Sequence, residues 1–456
     1  MEKAPVKSIR IGNGCGFWGD NVDASIDLTR EGKLDYLTLE YLAELTMSIL
    51  ALQKQRDQGQ GFASDFIDVL ERLCPLWKNQ RSLKIVTNAG GMNPEACAAR
   101  AAQVLSKQGL DDRRIATVTG DDLMPVLDQL IASGHAFTNL DTGEPLESVR
   151  SRIVSANAYL GSRPIADALS QDADLVITGR VADASLTVAP AVHEFGWRWD
   201  DWDRLCSTTV AGHLIECGAQ ATGGLWCNWR DAGDMANVGY PIAIIHSEGD
   251  FEITKPVGTG GAVNIETVSE QLLYEVGDPA AYLTPDVSAD FTSVRLETCG
   301  RDRVRVTGAR GRAATESYKV SIAYRDGFAS SGTLLVCGFD AAEKARRAGE
   351  IILERLARAN RAPKHSYIEC LGAGDCVPGV MSPEKSPCEV VLRVACRDDS
   401  RQVVERFTKE FAPLVTSGLP GITGYTTGRP PVREVFAYWP ALVATSALKP
   451  VVHLRR

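Results

Sequence analysis

The pattern that most restricts the fold recurs five times in the first half of the chain. A short apolar run ends directly in glycine, amide, arginine or acid, and a helical stretch follows. Ser8–Ile11 leads to Gly12-Asn13-Gly14-Cys15-Gly16, and Asp35–Leu39 leads to Glu40. Leu83–Thr87 leads to Asn88-Ala89-Gly90-Gly91, with Pro94 suited to open the next helix. Arg114–Val118 leads to Thr119-Gly120-Asp121-Asp122, and Asp174–Thr178 to Gly179-Arg180-Val181-Ala182-Asp183. Strands buried on both faces lose their polar alternation, and helical spacers supply the crossovers that parallel strands require. The expectation is an α/β protein with a Rossmann-like doubly wound parallel sheet over residues 1–235.

The second half changes character. Lys319–Tyr324 and Gly332–Val336 flank Arg325-Asp326-Gly327 like the arms of a hairpin. A helix over Ala341–Ala359, a strand over Glu389–Ala395 and a helix over Gln402–Phe411 follow. This predicts an α+β domain over residues 236–456, with the boundary in the Gly-, Asn- and Asp-rich stretch Asp231–Tyr240. A chain of 456 residues ordinarily divides into two cores.

Charge and cysteine usage narrow the partners. A formal charge of −9 without a dense basic run argues against nucleic acid. No stretch has the apolar length of a membrane span. The 12 cysteines include no CxxC pair and no signal peptide precedes them, so reduced thiols and a cytoplasmic setting are expected.

In open α/β sheets ligands bind beyond the carboxyl ends of the strands, where helix N-termini present free amides. Gly12, Gly14, Gly16, Asn88, Gly90, Arg180 and Asp183 are therefore candidates for substrate binding, with Glu40, Asp121 and Asp122 as candidate acid–base groups. One of the two aspartates can equally cap the following helix, and Arg180 with Asp183 can equally brace its own turn. The spacing GxGxG departs from the dinucleotide fingerprint, since Phe17 stands where the third glycine belongs. Further along, a helix capped by Thr208 or Thr209 would align His213, Glu216 and Gln220 on one stripe. His213 with Glu216 suits a general base and its orienting carboxylate, or two ligands of a divalent metal; an ordinary solvent-facing polar stripe is the alternative. Lys255 and Gly260, in Lys255-Pro-Val-Gly-Thr-Gly260-Gly, lack the order of a phosphate loop but could receive an anion.

Nine segments of this chain resemble the acyclic terpene utilisation family. They include GNGCGFWGD at Gly12–Asp20, TNAGGMNP at Thr87–Pro94, TGDDL at Thr119–Leu123 and ANAYLG at Ala156–Gly161. ITGRVADASL at Ile177–Leu186, HEFGW at His193–Trp197, AGHLIECGAQATGG at Ala211–Gly224, ITKPVGTGG at Ile253–Gly261 and EQLLYEVGDPAAYLTPDV at Glu270–Val287 complete the set. The resemblance implies breakdown of branched, terpene-like skeletons, or of related acids handled as coenzyme A thioesters. It also implies a small domain that some members carry and others accompany as a separate chain, so a small partner subunit enters the expectations beside a homo-oligomer. The surplus of acid–base groups without a GxSxG elbow or protease-like cysteine favours a hydratase or lyase. A nucleotide-dependent oxidoreductase using Gly12–Gly16, and a noncatalytic binding subunit of a larger complex, are the alternatives.

Overall fold

The computed structural model of the chain describes residues 7–380, 387–424 and 428–455. Two compact units are present, Met1–Ala323 with Tyr438–Arg456, and Tyr324–Ala437. The first begins with β1 (Ser8–Asn13), α1 (Val22–Glu31), β2 (Tyr36–Leu39), α2 (Glu44–Arg56), α3 (Asp65–Asn79), β3 (Lys84–Thr87), α4 (Pro94–Lys107) and β4 (Ile115–Thr119). It continues with α5 (Leu127–Ala132), β5 (Ile153–Ala158), α6 (Arg163–Ser170), β6 (Leu175–Thr178), α7 (Ser185–Phe195) and α8 (Trp202–Glu216). Then come β7 (Ile242–His246), β8 (Phe251–Thr254), α9 (Ile265–Leu273), β9 (Tyr282–Leu283), β10 (Ser288–Asp290), β11 (Arg295–Gly300), β12 (Arg303–Thr307) and β13 (Arg310–Arg312). The chain leaves this unit along β14 (Ser317–Cys337) and forms α10 (Ala341–Arg358), β15 (His365–Leu371), β16 (Glu389–Asp398), α11 (Arg401–Phe407), α12 (Leu414–Ser417) and β17 (Ile422–Gly424). It returns through β18 (Arg433–Ala444) to β19 (Val451–Arg455).

A ten-stranded mixed sheet organises the first unit, in the order β11-β12-β8-β7-β1-β2-β3-β6-β4-β19. The five runs that end in polar loops form its parallel centre, β1-β2-β3-β6-β4. Their side chains are buried on both faces; Leu37, Ile85 and Ile177 expose nothing. Antiparallel strands extend both flanks, β7 beside β1 and β19 beside β4. Helices α1, α3 and α4 pack in one row and α6, α7 and α8 in another. Asn93 caps α4 by accepting from the Ala96 amide, with Pro94 at the first position, where its missing N–H costs nothing.

Two expectations are revised. Asp231–Tyr240 lies inside the first unit, because β7 and β8 beyond it add to the same sheet. In that sheet β1 lies between parallel β2 and antiparallel β7. Finally, Arg325-Asp326-Gly327 is no hairpin turn. Gly327 has φ +83° in the middle of the continuous strand β14, and from Phe328 onward that strand pairs with β16.

The second unit has the order β-α-β-β-α-β that characterises a split βαβ sheet. Its strands lie as β15-β16-β14-β17, all antiparallel. Leu334, Val336, Leu392 and Val394 join Ile352, Leu356, Val404 and Phe407 of α10 and α11 in one core, so the helices lie on one face.

Candidate active site

The carboxyl ends of β2, β3, β4 and β6 carry a connected polar network. Glu40 follows β2 and is 4% exposed. Its Oε1 accepts from the Asn88 side-chain amide and, at 3.1 Å, from the Leu42 amide. Asn88, just past β3, is fixed in turn because its Oδ1 accepts from the Tyr41 amide at 2.8 Å. Arg180, past β6, is 1% exposed; its Nη1 donates to Leu42 O at 2.9 Å and to Asp183 Oδ1 at 2.7 Å. Glu40 Oε1 lies 3.7 Å from the same nitrogen, and the guanidinium stacks over Tyr159 with its carbon 4.1 Å from the ring centroid. The Arg180–Asp183 pair therefore does brace its turn, but it also belongs to a larger assembly.

Asp121 and Asp122 divide the roles open to them. Asp122 Oδ1 accepts from the Met124 amide at 3.0 Å and caps the short turn after β4. Asp121 is buried, and its Oδ2 accepts from the Arg180 amide at 2.8 Å and from Asn157 Nδ2 at 2.9 Å. Burial pushes its carboxyl up to about 6, against the pull of those two donors. Burial likewise raises Asp122, and it raises Glu40 well above the usual carboxylate range, helped there by the charge of Asp183.

His213 and Glu216 form a second pair near the end of α8. The helix starts at Trp202, so Thr208 is no cap; its hydroxyl donates back to Arg204 O. The i, i+3 spacing holds, with His213 Nδ1 3.1 Å from Glu216 Oε1. The stripe does not face solvent, however. His213 is 1% exposed, packs against Tyr282 and Phe291, and sets Nε2 2.9 Å from Gln271 O. A neutral imidazole carries one N–H, yet both nitrogens face oxygens, and the carbonyl can only accept. The pair must therefore hold an extra proton, on His213 or on Glu216. Burial works against the imidazolium, but Glu216 together with the backbone carbonyls of Gln271 and Leu272 more than offsets this and raises His213; burial pushes Glu216 up to about 7.

Asp183 joins the two groups electrostatically, since its charge raises both Glu40 and Glu216. Its side chain is 35% exposed, whereas those of Arg180, Glu40 and His213 are at most 5% exposed. The network is thus closed in, with Asp183 as its most open carboxylate, rather than arrayed around an open cleft. Buried atoms without partners mark it as well: Glu40 Oε2, Arg180 Nε, Glu216 Oε2 and Asn157 Oδ1. Each needs a water or ligand atom to avoid an uncompensated desolvation cost.

The glycines serve close packing. A methyl on Gly12 would meet Leu34, one on Gly14 would meet Ser25, and one on Gly16 would lie 2.7 Å from the Gly218 amide nitrogen. Gly90 abuts Thr178 O and Pro94. Lys255 donates to Thr259 O at 2.8 Å and lies 3.5 Å from Asp302, while Gly260 abuts Asp234. These two residues build a separate turn and share no hydrogen bond with the Glu40 network.

Asn13 and Asn157 escaped notice in sequence. Asn13 Nδ2 donates to Ile215 O at 2.7 Å and ties the first loop to the end of α8. An amide inside an apolar strand was the available signal for both. Among the described residues, no group of three or more His, Cys, Asp or Glu is disposed to hold a metal ion, and no helix is long and apolar enough to cross a membrane. All twelve cysteines are free thiols.

The family profile described as "Acyclic terpene utilisation family protein AtuA" matches residues 9–454. No curated protein and no solved structure matches the chain. The profile runs from the first strand to the last and includes every loop of the buried network. The chain therefore belongs to the acyclic terpene utilisation family, with the role in acyclic terpene utilisation that membership implies.

Proposed function

We propose that the chain is an enzyme of branched-acid or acyl-coenzyme A breakdown that works by acid–base chemistry of the hydratase or lyase type. One observation carries this reading: Asp121, past the carboxyl end of a parallel strand, and Glu216, at the end of α8, are buried carboxyls that keep their protons toward neutral pH. Perturbed groups of this kind concentrate where protons are transferred. Elimination of water from a 3-hydroxyacyl group needs one base to take the α-proton and one acid to protonate the departing hydroxyl. The His213–Glu216 pair holds a transferable proton beside Asp183, which supplies an acceptor. Arg180 orients that acceptor through its 2.7 Å contact. The reading takes the parallel centre as Rossmann-like, supported by its two rows of helices.

The test uses the purified full chain with branched 2,3-unsaturated and 3-hydroxyacyl thioesters in heavy water, followed by mass spectrometry. Interconversion with deuterium entering at the α-carbon is expected, slowed by about two to four powers of ten in Glu216→Gln. Binding of thioester without exchange or interconversion would overturn the enzyme reading in favour of a binding subunit.

A further inference from the structure

The second unit carries a hollow that the proposed chemistry does not use. It lies on the sheet face opposite α10 and α11, and the strand register shows how it arises. His365 pairs across to Arg397, and Arg397 to Ala329; Tyr367 pairs to Ala395, and Ala395 to Ser331; Glu369 pairs to Arg393, and Arg393 to Thr333. The residues between these positions, among them Ile368, Cys370, Val394 and Cys396, pack beneath the helices, so the three rows face the other way. In the middle rows the side chains shrink to Ala329, Ser331 and Ala395, while Tyr367 stands 53% exposed at the edge. Pro431 and Arg433 wall one side, and the resulting space is about 480 Å³.

The charges around it do not balance. Arg393 is matched by Glu369 at 2.5 Å, and Arg397 by Asp326. Among the described residues the side chains of Arg433 and His365 have neither ion pair nor hydrogen bond. A small-residue floor with a spare guanidinium on its rim complements an apolar body bearing one negative charge. The volume lies within the range of small-molecule sites. A polyanion would need more free donors than this rim offers.

We propose that this hollow binds one apolar monocarboxylate, its aliphatic body over Ala329, Ser331 and Ala395 and its carboxylate on Arg433. This does not depend on the chemistry proposed for the first unit. The test is calorimetric titration of the full chain with octanoate, and with octanol as the uncharged counterpart. One octanoate per chain is expected, with octanol and the Arg433→Gln variant each weaker by about ten- to a hundredfold, the worth of a charge-assisted contact. Ala395→Phe should abolish binding by filling the floor at an unchanged melting temperature, and Ser331→Leu should do the same if the first variant fails to fold. Glu216→Gln should leave octanoate binding intact. Full-strength binding to a filled hollow, equal binding of octanol, or no binding to the native chain would each overturn the proposal. So would a dimer that the Ala395→Phe variant alone dissociates, since a second copy would then be the occupant.

Discussion

Replacing Asp121 by Asn should stabilise the protein at neutral pH while reducing whatever turnover it has. The carboxyl is buried, and its folded value of about 6 stands above the ordinary 3.8. A group raised in this way binds its proton more tightly in the folded than in the unfolded chain. Its contribution to stability is fully present below about pH 4 and is lost as the pH rises through about 6. Raising the carboxyl from 3.8 to about 6 corresponds to about 3 kcal/mol across that window. Asn carries no charge, and its oxygen can take the place of Oδ2 toward the Arg180 amide and Asn157. The variant should therefore gain on the native chain between about pH 4 and pH 7, by up to that amount less the cost of an amide against Gly179. In a unit this large the gain reads as several degrees of melting temperature. Scanning calorimetry of both proteins across the window checks it. Parallel melting curves would refute the assignment of the perturbation to Asp121. A gain in stability together with a loss of thioester turnover is the pattern expected where a strained group serves chemistry.

His213→Asn should lower turnover by about two to four powers of ten and also cost about 2–4 kcal/mol, because it strips partners from Gln271 O and buried Glu216. Normal activity in that variant would remove the pair from the mechanism, and an unchanged melting point would contradict its burial. Gly179→Ala should destabilise by about 1–3 kcal/mol, since the new methyl would lie 2.3 Å from Asp121 Oδ1, on a carboxylate that two hydrogen bonds to Oδ2 hold in place. A double-mutant cycle with Asp121→Ala checks the cause: the cost should shrink when the carboxyl is gone, and strict additivity would refute the contact.

The parallel centre of the first unit was legible because its strands are short, apolar on both faces and punctuated by polar loops. All five strands start and stop within two residues of the positions read from the chain. Legibility failed where partners come from afar. The stripe of His213 and Glu216 has the spacing of an exposed helix face, and it is covered by groups far along the chain: the Gln271 carbonyl, 58 residues later, and the rings of Tyr282 and Phe291. The boundary failed for a related reason: Gly, Asn and Asp between 231 and 240 signal a turn, and a turn between sheet neighbours looks like a turn between domains. Asp121 and Asp122 show the other side. Local rules allowed one of two adjacent acids to cap the turn, and geometry alone decided that it was Asp122.

Asp183 gives the site its direction. Glu40, Asp121 and Glu216 are each held toward the protonated state by burial, but burial alone would make three inert acids. Two of them, Glu40 and Glu216, feel the charge of Asp183, a partly exposed carboxylate three residues beyond Arg180 and paired with its guanidinium. Arg180 Nη1 is bound to the Leu42 carbonyl and its plane lies over Tyr159, so the pair cannot swing outward as a surface ion pair would. The charge of Asp183 therefore stays where Glu40 and Glu216 both feel it. The loop Gly179–Asp183, short enough to read as a simple braced turn, thus links the surroundings of Glu40 to those of the His213–Glu216 pair through one partly exposed carboxylate.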